Sequence, residues 1–150
     1  MLVYRLTKER YSYELSGYGA SLSTTNRWNR KGTEMVYTAT SRALAMAEIM
    51  PHLALDLIPI DYVMMVLHIP DSIKSIEITI DLTTASLEQT QLLGEDFIRR
   101  NEHLTARVPS KVVIGDFNLL INPNHDDFNK IHIDDVQPFP FDSRLFNRKS

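Results

Sequence analysis

The densest chemistry in this sequence lies in Asn26-Arg27-Trp28-Asn29-Arg30-Lys31-Gly32, where cations and amide side chains surround the chain's one Trp. Arg presents a planar fork of donors that fits phosphate oxygens, so the segment reads as a pocket for a small anion. The competing reading is a solvated loop whose Trp28 is anchored in the core. A second reactive group is Glu48, within Arg42-Ala43-Leu44-Ala45-Met46-Ala47-Glu48-Ile49-Met50, a run of good helix formers. Spacing of four places Leu44, Glu48 and His52 on one helix face, so Glu48 points where apolar neighbours point. Other chemistries lack their signatures. Ser16-Gly17-Tyr18-Gly19-Ala20 misses the third glycine and the parallel-strand context of a dinucleotide loop and reads as a turn. The five His are dispersed with no HExxH pairing, so no metal site is expected, and His125-Asp126-Asp127 reads as a hydrated loop. No GxSxG elbow supports a Ser nucleophile.

The elements that must carry these residues follow from periodicity. Glu34 to Ala39 has β-branched and aromatic residues in short alternation and predicts a strand with Tyr37 near its end. Thr40 or Ser41 can cap the helix over 42–50, and Pro51 should end or kink it. Strands are predicted at Tyr62–Ile69, at Ile76–Asp81 with clean period-two alternation, and at 111–114, 119–121 and 130–133. A second helix is predicted over Thr90–Asn101, with Leu93, Phe97 and Ile98 at helical spacing and Gly94 as its weak point. Many strands with two clear helices predict an α+β domain built on a bent, largely antiparallel sheet. Asn122-Pro123 reads as a turn, Asn118 as structural, and Arg144 as a partner for a carboxylate.

Composition bounds the function. The 150 residues, 43% hydrophobic and 23% charged, fit one domain, 1–150, that can bury a core alone or in a small oligomer such as a homodimer. Sixteen Lys and Arg against 19 Asp and Glu leave a net charge of -3, which argues against direct binding of nucleic acid. The charge is uneven: residues 1–50 hold 7 Lys or Arg and 4 Asp or Glu, a net of +3, which leaves -6 for the rest. The absence of Cys removes thiolate metal sites and Cys nucleophiles and fits a reducing compartment. No signal peptide is read at the N-terminus, and the longest apolar passage, 58–69, is broken by Pro59, Asp61 and His68, too short for a bilayer. The expectation is a cytoplasmic protein.

Seven short segments then line up in order and spacing. They are Leu15-Ser16-Gly17-Tyr18-Gly19-Ala20, Arg27-Trp28-Asn29, Val36-Tyr37-Thr38-Ala39, Ala43-Leu44-Ala45 with Glu48, Val108-Pro109-Ser110, Leu120-Ile121-Asn122-Pro123 with His125, and Phe141-Asp142-Ser143-Arg144-Leu145-Phe146. Together they resemble the successive motifs of the RES domain family over nearly the whole chain. The resemblance implies a bacterial type II toxin with a fold similar to ADP-ribosyltransferases, acting on NAD as substrate with no prosthetic group. It also implies an Xre-type helix-turn-helix antitoxin as partner. The family's functional residues carry over onto Arg27, Tyr37, Glu48 and Ser110, with His52 following Glu48 at the expected position. The chain departs from the family at Thr25-Asn26, where glycines are usual, at Pro51, and at Phe97, where Trp is common.

Those roles are chemically coherent. Cleaving the nicotinamide–ribose bond expels a neutral leaving group from a cationic ring, so the main demand is to stabilise an oxocarbenium-like centre. One carboxylate in a site of low effective dielectric can meet it, which fits Glu48. Arg27 would clamp the pyrophosphate, Tyr37 would stack on or hydrogen-bond the nicotinamide end, and Ser110 would fix an amide or ribose hydroxyl. Two readings compete with NAD cleavage onto water or phosphate. One is a mono-ADP-ribosyltransferase acting on a protein side chain, and the other is a non-catalytic module that binds a nucleotide or partner.

Overall fold

The computed structural model describes residues 1–146; the remaining four positions of the expected 1–150 span lie outside the described residues. Seven strands form one sheet: β1 (Leu2–Lys8), β2 (Val36–Ala39), β3 (Tyr62–His68), β4 (Ile76–Glu77), β5 (Thr105–Pro109), β6 (Phe117–Ile121) and β7 (His132–Pro138). Their spatial order is β4-β5-β6-β2-β1-β3-β7, and every pair is antiparallel except β4 with β5. Among the described residues three α-helices accompany it: α1 (Tyr18–Leu22), α2 (Arg42–Ile49) and α3 (Leu87–Arg100). The α+β class with a largely antiparallel sheet, expected from the strand count, is what the chain forms. No helix of the described residues is long and apolar enough to cross a membrane.

Alternation along the strands sorts side chains to two faces. Val3, Val36, Met65, Leu67, Leu119 and Ile121 meet on one face and are almost wholly buried. The opposite face carries two separate cores. One gathers Leu6, Ala39 and Met64 beneath Leu44 and Ala45 of α2, closed by Phe141 and Phe146. Phe141 meets Tyr62, Phe139 and Phe146 edge to face with ring centroids 5.1–5.6 Å apart, each pair contributing about 0.5–1.5 kcal/mol beyond its buried area. The other core gathers Ala106, Val108 and Leu120 around Trp28, Met35 and Phe97 of α3. Splitting one sheet face between two helices leaves room between them.

The helix ends follow their sequences. Ser41 caps α2 by accepting from the Leu44 N–H at 3.0 Å, and the helix tightens into a 3-10 turn, Met50–His52, around Pro51. Ser86 and Gln89 form a reciprocal capping box on α3, which ends at Asn101 in the left-handed region, φ 52°.

Several local expectations are revised. Residues 111–114 are a turn rather than a strand, because Asp116 N–H returns to the Val113 carbonyl and Ser110 Oγ accepts from Val113 N–H. The strand of this region is β5 instead. Only Ile76–Glu77 of the alternating run joins the ladder, yet Ile76, Ile78 and Ile80 all pack on the second core, so burial rather than pairing explains the period. Strand β7 starts at His132 and runs on to Pro138, later than the 130–133 reading. The buried stripe of α3 is Thr90, Gln91, Gly94 and Phe97, with Leu93 outside it. The turn read over Ser16–Ala20 is confined to Ser16-Gly17, and Tyr18–Ala20 already belong to α1: Gly17 has φ +71°, and a Cβ there would lie 2.6 Å from the Met35 backbone nitrogen. The turn at Asn122 is present, its Oδ1 accepting from Asn124 N–H at 3.0 Å, and Arg144 pairs with Asp142.

Candidate active site

A cavity of about 630 Å³ opens between α2 and the loop that carries Arg27. Its size falls in the range of small-molecule sites. Register places Tyr4, Tyr37, Ala39 and Asn118 on the sheet face beneath it, since Ala39 stands opposite both Tyr4 and Asn118. Arg27, Tyr37, Glu48 and His52 all line this cavity. A smaller hollow of about 260 Å³ between β4 and α3, bordered by Ile76, Phe97 and His103, holds none of them.

Glu48 lies one turn beyond Leu44 and Ala45, on the face of α2 that packs on the sheet, and is half-buried. Its carboxylate is held by one oxygen. Oε1 accepts from Ser110 Oγ at 2.5 Å and from Asn118 Nδ2 at 2.8 Å. Among the described residues no protein donor meets Oε2. A carboxylate in the last turn of a helix faces the negative end of the helix dipole, so these two donors offset an unfavourable placement. Ser110 is 3% exposed, absent from the cavity lining, and its hydroxyl also accepts from Val113 N–H at 3.0 Å. It therefore reaches the cavity through Glu48.

Across the cavity, Tyr37 is tied to the loop that carries Arg27. Its hydroxyl donates to Asn29 Oδ1 at 2.6 Å and accepts from Trp28 N–H at 3.2 Å. Burial pushes the phenol well above its ordinary range, an effect that the loop hydrogen bonds and the nearby Arg27 charge only partly oppose. With its hydroxyl engaged, Tyr37 can offer a ligand its ring and fix the backbone next to Arg27. Arg27 makes no ion pair among the described residues, so its guanidinium fork is available to an anion. Trp28 is 3% exposed, so the segment is both the Trp-anchored loop and the wall of a cavity.

Two residues escape the sequence reading. Asn118, expected to be structural, donates to Glu48, while its Oδ1 is buried without a partner. The orientation follows from charge, because turning the amide over would set its oxygen against the carboxylate. Arg5 also lines the cavity, donates from Nη1 to the Tyr37 carbonyl at 3.2 Å, and buries Nε without a partner. Burial without a facing carboxylate pulls its guanidinium below the usual arginine range. A lone Arg in the apolar run Leu2–Lys8 was the available signal for Arg5; Asn118 had none beyond its place on a strand.

The sequence pattern of the RES domain family matches residues 2–142. Toxin Res of Photorhabdus laumondii subsp. laumondii is 32% identical over 160 residues, covering 99% of each chain. The Prs ADP-ribosylating toxin of a Sphingobium species is 31% identical over 157 residues, covering 97% of this chain and 96% of its own. Among solved structures, the M. tuberculosis MbcT–MbcA toxin–antitoxin complex contains a chain that superposes with a TM-score of 0.72. That match covers 93% of this chain and 84% of the other at 16% identity, a likeness of fold. With its motifs in register along a pattern that spans almost its full length, the chain belongs to the RES domain family.

Proposed function

We propose that this chain is the toxin of a type II toxin–antitoxin pair and depletes NAD by breaking its nicotinamide–ribose N-glycosidic bond, with water or phosphate as acceptor. The observation that carries the reading is the cavity itself: a guanidinium with no ion pair on one wall and a carboxylate with one free oxygen on the other. In this reading Arg27 holds the pyrophosphate and the Tyr37 ring borders the nicotinamide. The bond between ribose C1′ and the pyridinium nitrogen breaks with its electron pair going to nitrogen, so neutral nicotinamide departs. Glu48 Oε2 stabilises the positive charge left on the ribose. An acceptor oxygen then bonds to C1′, and where the acceptor is water one proton is lost, which Glu48 or solvent takes up. His52, exposed on the 3-10 turn, borders the mouth and contacts the substrate's outer part.

Incubation of the purified protein with NAD alone tests this, and free nicotinamide is the expected product. Glu48→Gln should slow its release by roughly 100-fold or more, the scale on which removal of a transition-state charge partner is felt. Full activity in that variant would overturn the role given to Glu48.

A second reading, transfer of ADP-ribose to a protein side chain, is favoured by similarity to the Prs ADP-ribosylating toxin of Sphingobium. It predicts no nicotinamide release from NAD alone and label appearing on added protein. The partner in either case is an antitoxin, as in the structural neighbour, and a helix-turn-helix protein of the Xre type is the form proposed. The basic stretch from Arg27 to Lys31 offers it an electrostatic complement beside the cavity mouth. Action inside the cytoplasm is part of the same proposal.

A further inference from the structure

The loop that carries Arg27 has no place in the sheet ladder, and one face of α3 substitutes for it. Gln91, Gly94 and Glu95 lie at helical spacing on that face, and each meets the loop. Gln91 is 7% exposed, and its Nε2 donates to the Asn26 carbonyl at 2.9 Å and reaches the Thr24 carbonyl at 3.5 Å. Glu95 accepts from Arg30 N–H at 3.2 Å, from Arg30 Nε at 2.7 Å and from Thr33 Oγ1 at 3.0 Å. Between them the helix comes so close that a Cβ on Gly94 would lie 1.8 Å from the Trp28 carbonyl oxygen. The loop is thus gripped before and after Arg27 and pressed against the helix at Trp28.

The geometry points to Gln91 as a positioning residue for Arg27: its buried amide fixes the backbone at Thr24–Asn26 and so aims the guanidinium into the cavity. A glutamine suits this place. Its NH₂ offers two donors to two converging carbonyls, whereas a hydrocarbon there would remove both tethers. Glu95 holds the far side through a partly exposed ion pair and acts more weakly. Glu95 remains ionised in this role, the Arg30 and Thr33 donors drawing its carboxyl below the ordinary range against the opposing effect of burial.

This inference rests on the NAD reading only for its kinetic arm; its structural arm is independent of any substrate. Gln91→Met keeps volume and helix propensity while removing both donors. Trp28 is the one Trp of the chain, so indole fluorescence excited to the red of the six Tyr reports on this loop alone. Acrylamide quenching of Trp28 should rise about two- to threefold in the folded variant, with the far-ultraviolet circular dichroism unchanged. KM for NAD should rise about five- to tenfold with kcat within about twofold, because a misplaced binding group weakens ground state and transition state alike. Glu95→Gln should shift both readouts the same way by a smaller factor, and Gln91→Glu, which keeps the shape but replaces the donor amide by an acceptor, decides the matter if Gln91→Met does not fold. Quenching at the level of the unsubstituted protein in the folded variants overturns the positioning role. So does a fall in kcat at constant KM. If the unsubstituted protein leaves NAD intact, the functional reading fails while the quenching comparison still judges Gln91.

Discussion

Glu48 stands on regular structure, whereas Arg27 stands on a loop that no strand pairing holds. The carboxylate belongs to a capped helix and takes its two donors from the end of β5 and from β6. The guanidinium is held indirectly, through Tyr37 from the sheet and through α3 from behind. The difference separates two kinds of dependence. The acidic wall depends on a few short side-chain bonds to the carboxylate itself. The basic wall depends on packing and on hydrogen bonds to the backbone around it, none of which touches Arg27.

The largest test of that contrast compares the two charges directly. Glu48→Gln should lower kcat by about 100-fold or more with KM little changed, while Arg27→Ala should raise KM about 10- to 100-fold with a smaller effect on kcat. Steady-state nicotinamide release measures both, and a fall in kcat alone for Arg27→Ala would erase the distinction. Removing a donor comes next. Ser110→Ala and Asn118→Leu should each reduce kcat about tenfold by loosening Oε1. Ser110→Ala should also cost about 1–3 kcal/mol of stability, since the Val113 N–H loses its acceptor. Denaturant titration separates the pair, and equal stability losses would show that the two donors are not distinct.

The basic wall is tested through Tyr37. Its native pKa lies above the ordinary phenol value of 10.0, so above about pH 10 the unfolded chain releases a proton that the folded chain keeps. The stabilisation is complete below that pH and is lost as pH rises beyond it. Tyr37→Phe should flatten this alkaline loss while lowering stability near neutrality by about 1–3 kcal/mol, because Trp28 N–H loses its acceptor. Thermal melts at stepped pH read both effects. The smallest change is Ser41→Ala, which removes the cap of α2 and should cost about 1 kcal/mol with activity nearly intact. A large activity loss there would mean that Glu48 is held less by its own donors than by its helix.

The same contrast governs what could be read in the sequence. Alternation at Val36–Ala39 and Tyr62–His68, and helix formers after Ser41, identify β2, β3 and α2 because those elements are fixed by local burial and capping. The apolar face of α2 already gave Glu48 its direction. Residues 111–114 misled, since an apolar β-branched run marks a strand only if a neighbour pairs with it, and here Ser110 turns the chain first. Gly94 looked like a defect in a helix because its use lies in a contact with Trp28, 66 positions earlier. Gln91 was silent for the same reason, its partners being backbone carbonyls of a distant loop. Arg27 was legible as an anion-binding residue from its type and neighbours, but its support was not.

The donors to Glu48 are encoded 62 and 70 residues after it, and β2, already beside β1, gains its second neighbour only with β6. A nascent chain that has emerged only through α3 therefore owns the carboxylate and the guanidinium yet has no hydrogen-bonded acidic wall. The acidic wall is complete only when β6 has been made and docked beside β2, and long-range pairing of this kind is slow. The order of translation thus leaves Glu48 without its second donor until Asn118 has been made.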